Sequence, residues 1–269
     1  GWITGGRLDQ VSAVDMGRMD DLEINWRLPG GYGAVIAALA EGLPLRLSTP
    51  ATRIDWRGRK IRVETPDGNL TAQRIIITLP TNLIADGTVD FVPALPAAKR
   101  QAAADLPLGA DLKLFLAIEG EPFGPPRDRQ LPSRYDRADC CFMHLYPFGR
   151  PLAAAYFGGN IARELEAAGL AAIADFAEEE MAFNFGSAVR GALRPLAASG
   201  WTGDPLAGGA YAYARPGAVG ARAALAAPLE ERLFFAGEAT SPGEFATAHG
   251  AYMTGLAAGT AAATAFVAT

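Results

Sequence analysis

The sequence predicts an α+β fold: a mixed-sheet domain with packed helices, plus the carboxyl-terminal strand and helix of a separate α/β domain. Three observations predict it. Strand-like and helix-like segments alternate without a regular strand–helix–strand repeat. Two short runs, Arg74-Ile-Ile-Ile-Thr-Leu79 and Leu233-Phe-Phe-Ala236, are apolar on both faces, as covered parallel strands are. A strand, a loop and a helix of small residues then close the chain. With 269 residues, half of them hydrophobic, the chain can bury a sizeable core as one large or two modest domains.

Each element has a local cause. Leu28-Pro-Gly-Gly-Tyr-Gly33 is a turn cluster that opens a helix over 34–41, which Gly42 can end. Residues 45–56 read as a strand. Lys60-Ile-Arg-Val-Glu-Thr65 alternates strictly, Asp67-Gly68 marks a hairpin, and 69–74 returns. Pro80 bounds the run at 74–79, which suggests a central strand. A helix follows over 93–106 and a strand over 111–118. Beyond a Pro/Arg-rich loop at 122–132, strands are expected near 141–145 and 152–157, and helices over 161–168 and 171–185. No internal repeat or low-complexity linker is present. The chain divides at 1–45, 46–92, 93–200 and 201–269.

Composition excludes several classes. A net charge of −5 with no Lys/Arg-rich run argues against a nucleic-acid footprint. The two cysteines, Cys140 and Cys141, are adjacent and cannot readily meet disulfide geometry, which fits a reducing compartment. No Cys/His ligand cluster exists, so no metal is expected. After Glu244 no residue is formally charged, but the stretch is mostly Ala, Gly and Thr, so it reads as a buried helix and not a membrane span. The sequence starts Gly1-Trp2-Ile3, with no basic leader or apolar signal core. A soluble cytoplasmic protein of bacterial type is the expectation.

The most informative segment is Glu231-Arg-Leu-Phe-Phe-Ala-Gly-Glu-Ala-Thr240, followed by Ala248-His-Gly-Ala-Tyr-Met-Thr-Gly255. It places an acid, Glu238, beyond a buried strand end, where open α/β sheets present ligands. The helix opening near Thr247 has little side-chain bulk, so its free N–H groups can approach a ligand, and its dipole favours negative charge. Taken alone, this is also an ordinary strand–loop–helix with a capping acid.

This segment resembles the carboxyl-terminal FAD-binding signature of the flavin-dependent amine oxidase family, which includes monoamine oxidases, polyamine oxidases and flavin histone demethylases. Further segments resemble family motifs in order. Trp201-Thr-Gly-Asp-Pro205, Gly208-Gly-Ala-Tyr211 and Pro216-Gly217 resemble its Trp…Pro…Gly-x-Tyr…Gly stretch. Leu108-Gly-Ala-Asp-Leu-Lys113 resembles the strand that carries the family lysine, while Pro29-Gly-Gly31, Ala51-Thr-Arg-Ile54 and Thr78-Leu-Pro80 fall in the expected places. The resemblance covers nearly the whole chain. It implies that 1–45 begins a substrate domain, 46–92 holds FAD-domain strands and a hairpin, 93–200 is the substrate-binding domain and 201–269 is the FAD-binding segment. The expected Gly-x-Gly-x-x-Gly fingerprint is absent, so the chain resembles the latter portion of an amine oxidase, with a second polypeptide or fragment supplying the dinucleotide-binding half.

Alternation puts Leu112, Leu114 and Leu116 on one face of their strand and Lys113 on the other. By itself Lys113 is a lysine on a solvated face; the resemblance implies a catalytic lysine that holds a water at the reactive flavin nitrogen. Tyr211 is implied as the second catalytic group, a ring beside the flavin that lines the substrate path. FAD contacts are implied at Ala51, Pro80, Trp201, Gly237, Glu238, Thr247, Ala248 and Gly250, with Glu238 taking ribityl or ribose hydroxyls. His249, at the helix opening, reads either as a ligand contact or as a structural residue. Ala210 stands where monoamine oxidases place the cysteine that attaches flavin, which implies non-covalent FAD. The second aromatic of the amine-flanking pair falls at Thr247, with Phe245 nearby, so substrate lining is expected from Tyr211, Thr247 and Phe245. The implied activity is FAD-dependent oxidation of a small-molecule amine to an imine, with oxygen reduced to hydrogen peroxide. The alternatives are a flavoprotein desaturase or oxidase of a non-amine substrate, and a non-catalytic binding subunit.

Overall fold

The computed structural model describes residues 4–20, 26–132, 134, 136–137 and 139–267. The expectation about the leader rests on the first three residues and lies outside these. Two helices come first, α1 (Ala13–Met16) and α2 (Tyr32–Leu39). Then follow β1 (Arg53–Asp55), β2 (Ile61–Thr65), β3 (Gly68–Ala72), β4 (Ile75–Ile77), α3 (Thr81–Ala85), β5 (Asp90–Val92) and α4 (Ala97–Ala104). The middle of the chain forms β6 (Asp111–Ile118), β7 (Arg129–Pro132), β8 (Phe142–Leu145), β9 (Leu152–Gly158), α5 (Asn160–Ala168), α6 (Leu170–Phe185) and β10 (Leu193–Ala198). It ends in α7 (Ala221–Ala226), β11 (Leu233–Phe235) and α8 (Ala248–Val267). The architecture is α+β, as the sequence predicts.

The strands form three sheets among the described residues. One has the order β3-β2-β1-β5, with β5 parallel to β1. The second, β10-β6-β9-β8-β7, is antiparallel throughout. The third is the parallel pair β11-β4, in register Leu233↔Ile75 to Phe235↔Ile77. A first apolar core gathers Ile54, Ile61, Ile77, Phe91, Leu106, Leu233 and Phe235. A second gathers Leu112, Leu114, Leu116, Met143, Leu145, Phe157, Ile173 and Met181. The three leucines of β6 are essentially fully buried while Lys113 and Phe115 on the other face are exposed. Each such leucine contributes about 2 kcal/mol of apolar burial, which pins the register of β6.

Several elements differ from expectation. Only Arg53–Asp55 of the stretch 45–56 is a strand. Pro50 has no N–H to donate, it biases Thr49, and Leu45 and Leu47 stay exposed. The run at 74–79 forms a strand only at β4. It is not central among the described residues: it pairs with β11 alone, and Ile76 is exposed. The sequence pattern does not predict strands β5, β7 or β10. β10 contains Pro195, which is tolerated because this is an edge strand with an irregular register beside that residue. Finally, α8 is not a buried helix. Its small residues Ala258, Ala262 and Ala265 pack against Phe234 and Ala236, while Tyr252, Met253 and Leu256 are exposed. No described helix is long and apolar enough to cross a membrane.

Candidate active site

The chain passes from the first core to the second through Leu108–Asp111, and Gly209–Ala212 runs alongside it. The Gly109 N–H donates to the Tyr211 carbonyl at 2.8 Å, and the Ala210 N–H donates to the Gly109 carbonyl at 2.9 Å. This approach requires glycine, because a Cβ on Gly209 would lie 2.5 Å from the Leu108 Cβ. Two cavities open beside the crossing and share Ala207, Gly209 and Ala210 in their walls.

The first cavity, about 330 Å³, lies beyond the carboxyl ends of β4 and β11. Thr78, Leu79 and Pro80 line one side, and Ala236, Gly237 and Glu238 line the other. Gly237, at φ +127°, has open space beside its Cα. Both oxygens of the Glu238 carboxylate accept backbone N–H groups, from Ala212 at 2.9 Å and from Ala246 at 2.8 Å. Burial pushes its pKa up, and these two N–H groups oppose the rise.

The second cavity, about 430 Å³, takes Asp111, Lys113 and Phe115 from one face of β6, Tyr156 from β9, and Ser199, Trp201 and Tyr211 from loops. Lys113 pairs across the strands with Tyr156, and its Nζ lies 5.4 Å from that ring centroid. The strand is held at this point from the loop: the Lys113 N–H donates to Ser199 Oγ, and the Ser199 N–H donates to the Lys113 carbonyl, both at 2.9 Å. The hydroxyls of Tyr156 and Tyr211 lie 3.1 Å apart. Burial, and then the charge of Asp111, holds both phenols well above their ordinary pKa. Glu166 on α5 fixes the turn carrying Trp201 by accepting the N–H groups of Thr202 at 3.2 Å and Gly203 at 2.6 Å.

Lys113, Tyr211 and Trp201 therefore meet in the second cavity, and Pro80, Gly237 and Glu238 meet in the first. The remaining expected site residues line neither cavity. Thr247 caps α8, donating to the Glu244 carbonyl at 2.6 Å and accepting the Gly250 N–H at 3.0 Å. Gly250 is buried directly beneath the Glu244 carbonyl. Ala248 and His249 are exposed on the first turn of α8. Ala51 is half-buried ahead of β1. Phe245 is fully buried, with the Arg222 guanidinium 3.8 Å above its ring centroid.

Sequence reasoning missed Asp111, Tyr156 and Ser199. The alternation that isolates Lys113 also places Asp111 and Phe115 on its face, so Asp111 was within reach. Tyr156 depends on the register between β6 and β9, which no local pattern carries.

A family model described as flavin containing amine oxidoreductase matches residues 11–263, and the chain belongs to that family. The chain is 29% identical over 307 residues to polyamine oxidase 1 of Oryza sativa subsp. japonica, covering 91% of this chain and 60% of the relative. It is 32% identical over 246 residues to polyamine oxidase 2 of Arabidopsis thaliana, covering 86% and 49% respectively. It is 27% identical over 248 residues to lysine-specific histone demethylase 2 of Homo sapiens, covering 85% and 29%. A solved structure of a redesigned putrescine oxidase shares the fold, with a TM-score of 0.70 at 17% identity over 87% of this chain and 53% of that one. The chain thus spans between 49% and 60% of the length of the first two polyamine oxidases.

The family carries a flavin, and the first cavity fits part of one. Its walls at Ala207, Gly209, Ala210, Ala236, Gly237 and Ala251 are almost without side-chain bulk. That leaves room for a flat ring at a strand end, where α/β sheets bind cofactors.

Proposed function

We propose that this chain is the carboxyl-terminal part of an FAD-dependent amine oxidase, with the flavin edge in the first cavity and the amine in the second. The observation that carries this reading is the shared wall at Ala207, Gly209 and Ala210, which joins the cavity at the ends of β4 and β11 to a cavity holding Lys113 and Tyr211. FAD, when bound, supplies the acceptor for a hydride equivalent from the carbon beside the amine nitrogen, and oxygen then takes the electrons as hydrogen peroxide. The resulting imine hydrolyses to a carbonyl compound and ammonia or an amine.

Pro80 and Gly237 flank the ring, and Trp201 and Tyr211 wall the amine path. Glu238 keeps further lone pairs for ribityl or ribose hydroxyls beyond the two N–H groups it already accepts. Ala51, Thr247, Ala248 and Gly250 offer backbone contacts. Ala210 has no thiol, so FAD is held non-covalently. Lys113 holds a water and moves a proton. A further polypeptide, or a further part of the same protein, supplies the dinucleotide-binding half, and the protein works in the cytoplasm.

The test is anaerobic bleaching of the flavin in the full-length protein by primary amines, polyamines and amino acids, followed by a peroxide assay in air. Lys113→Met should slow turnover at least tenfold and leave the bound-flavin spectrum in place. Unchanged reduction and reoxidation rates would remove Lys113 from the reaction.

A further inference from the structure

Asp111 takes no part in the proposed oxidation, and its setting is costly. The residue is 5% exposed, and neither carboxylate oxygen makes a well-aligned hydrogen bond among the described residues, although the Tyr211 and Tyr156 hydroxyls lie beside it. Buried carboxylates are normally paired, because losing water without a partner is expensive. Asp111 shares one face of β6 with Lys113 and Phe115, and all three line the second cavity. The rings of Tyr156, Trp201 and Tyr211 line it too, together with Ser199 and the small residues Ala207, Gly209 and Ala210.

The charges in this cavity are graded. Lys113 is on the exposed side and Asp111 on the buried side, roughly 7 Å apart along the strand. A molecule with one cationic end is drawn past Lys113 to Asp111 and leaves its apolar body among the rings. A second cation on the same molecule would lie against Lys113 and be repelled. We propose that the Asp111 carboxylate seats the single ammonium of the substrate, so that this cavity selects monoamines with an apolar or aromatic body over polyamines. Burial pushes the acid up to about 7, opposed by the nearby Tyr211 and Tyr156 hydroxyls and by Lys113, and an ammonium beside it favours the charged form further. The word substrate rests on the amine-oxidising reading; the ammonium seat rests on the cavity alone.

The test uses the flavin-loaded full-length protein at pH 8. Calorimetric titration compares α,α-dimethylbenzylamine, which has no α-hydrogen to lose, with its neutral isostere α,α-dimethylbenzyl alcohol. The wild type should bind the amine roughly 10- to 100-fold more tightly than the alcohol, the range of a charge-assisted hydrogen bond. Asp111→Asn should bring the amine to the level of the alcohol and leave alcohol binding within about threefold. Equal binding of the two by the wild type, or undiminished amine binding by the variant, overturns the proposal. Should the variant fail to fold, 1,4-diaminobutane decides on the wild type: binding at least about tenfold weaker than the monoamine supports the seat, and tighter binding overturns it. A separate arm exposes the wild type to oxidisable benzylamine and the other amines. If none bleaches the flavin, amine oxidation fails while the seat stands; bleaching with amine affinity indifferent to Asp111 overturns the seat alone.

Discussion

An acid held at about 7 against an ordinary 3.8 makes the stability of the unliganded protein depend on pH, in a direction opposite to that of a paired carboxylate. Below 3.8 Asp111 is protonated in the folded and unfolded chain alike, and its contribution is fully present. Between 3.8 and about 7 the unfolded chain has released the proton and the folded chain has not, so stability declines as the pH rises, and the loss is complete above about 7. At about 1.36 kcal/mol per pH unit, that interval amounts to about 4 kcal/mol. Asparagine has nearly the shape of the protonated acid and never ionises. Asp111→Asn should therefore match the wild type near pH 4 and exceed its stability by about 4 kcal/mol at pH 8. Urea unfolding of the ligand-free protein at the two pH values measures both numbers. A saturating amine, at about 100 times its Kd, should restore about 2.7 kcal/mol to the wild type at pH 8 and little to the variant. A variant less stable than wild type by more than about 1 kcal/mol at pH 8 would refute the reasoning, because the groups that favour the charge of Asp111 would then outweigh its burial.

Four other perturbations test the scaffold. Asp15→Ala should cost about 3–5 kcal/mol, since it leaves the buried Arg222 guanidinium without the carboxylate it binds through Nε and Nη2; chemical denaturation reads this directly. Glu238→Gln keeps one acceptor oxygen for two N–H donors, so it should cost about 1–3 kcal/mol in thermal unfolding and lower the flavin content of purified protein. Gly250→Ala should destabilise by about 1–3 kcal/mol by driving a methyl group into the Glu244 carbonyl. Gly33→Ala in the exposed helix α2, where nothing crowds the new Cβ, should be neutral or stabilise by up to about 1 kcal/mol, and differential scanning calorimetry compares the pair.

Strict periodicity made much of this fold legible. The alternation in 111–118 gave β6 with Lys113 opposite its leucines, and the Asp67-Gly68 turn gave the β2–β3 hairpin. Legibility failed where partners far along the chain decide. A triple isoleucine reads as a central strand, yet pairing with β11 alone leaves Ile76 exposed. The uncharged tail reads as a buried helix, yet only its alanine stripe finds a surface to pack on. The same limit shaped the site. Lys113, Tyr211 and Trp201 are far apart in sequence, and only the register of β6 with β9 brings Tyr156 into the cavity they line. Phe245 is an expected substrate wall in the sequence, and no local pattern shows that its ring lies under Arg222, which is itself held by Asp15, 207 residues away in sequence.

A half-buried carboxylate and a buried guanidinium act on one backbone residue. Ala212 donates its N–H to Glu238 at 2.9 Å, and its carbonyl accepts from Arg222 at 3.4 Å. Ala212 directly follows Tyr211, whose carbonyl accepts the Gly109 N–H, so the Tyr211–Ala212 peptide is clamped at both its oxygen and its nitrogen. The other Glu238 oxygen holds Ala246 just ahead of α8, and Arg222 also reaches the Ala239 carbonyl. Glu238 therefore belongs to both cavities: its side chain lines the first, and through Ala212 it positions the Tyr211 ring in the second. Two cavities that meet at a wall of alanine and glycine have little side-chain mass with which to fix their relative position. The clamp does it with charge instead. A substitution at Glu238 in the first cavity therefore also removes an acceptor from the backbone that carries Tyr211 beside Lys113 and Asp111 in the second.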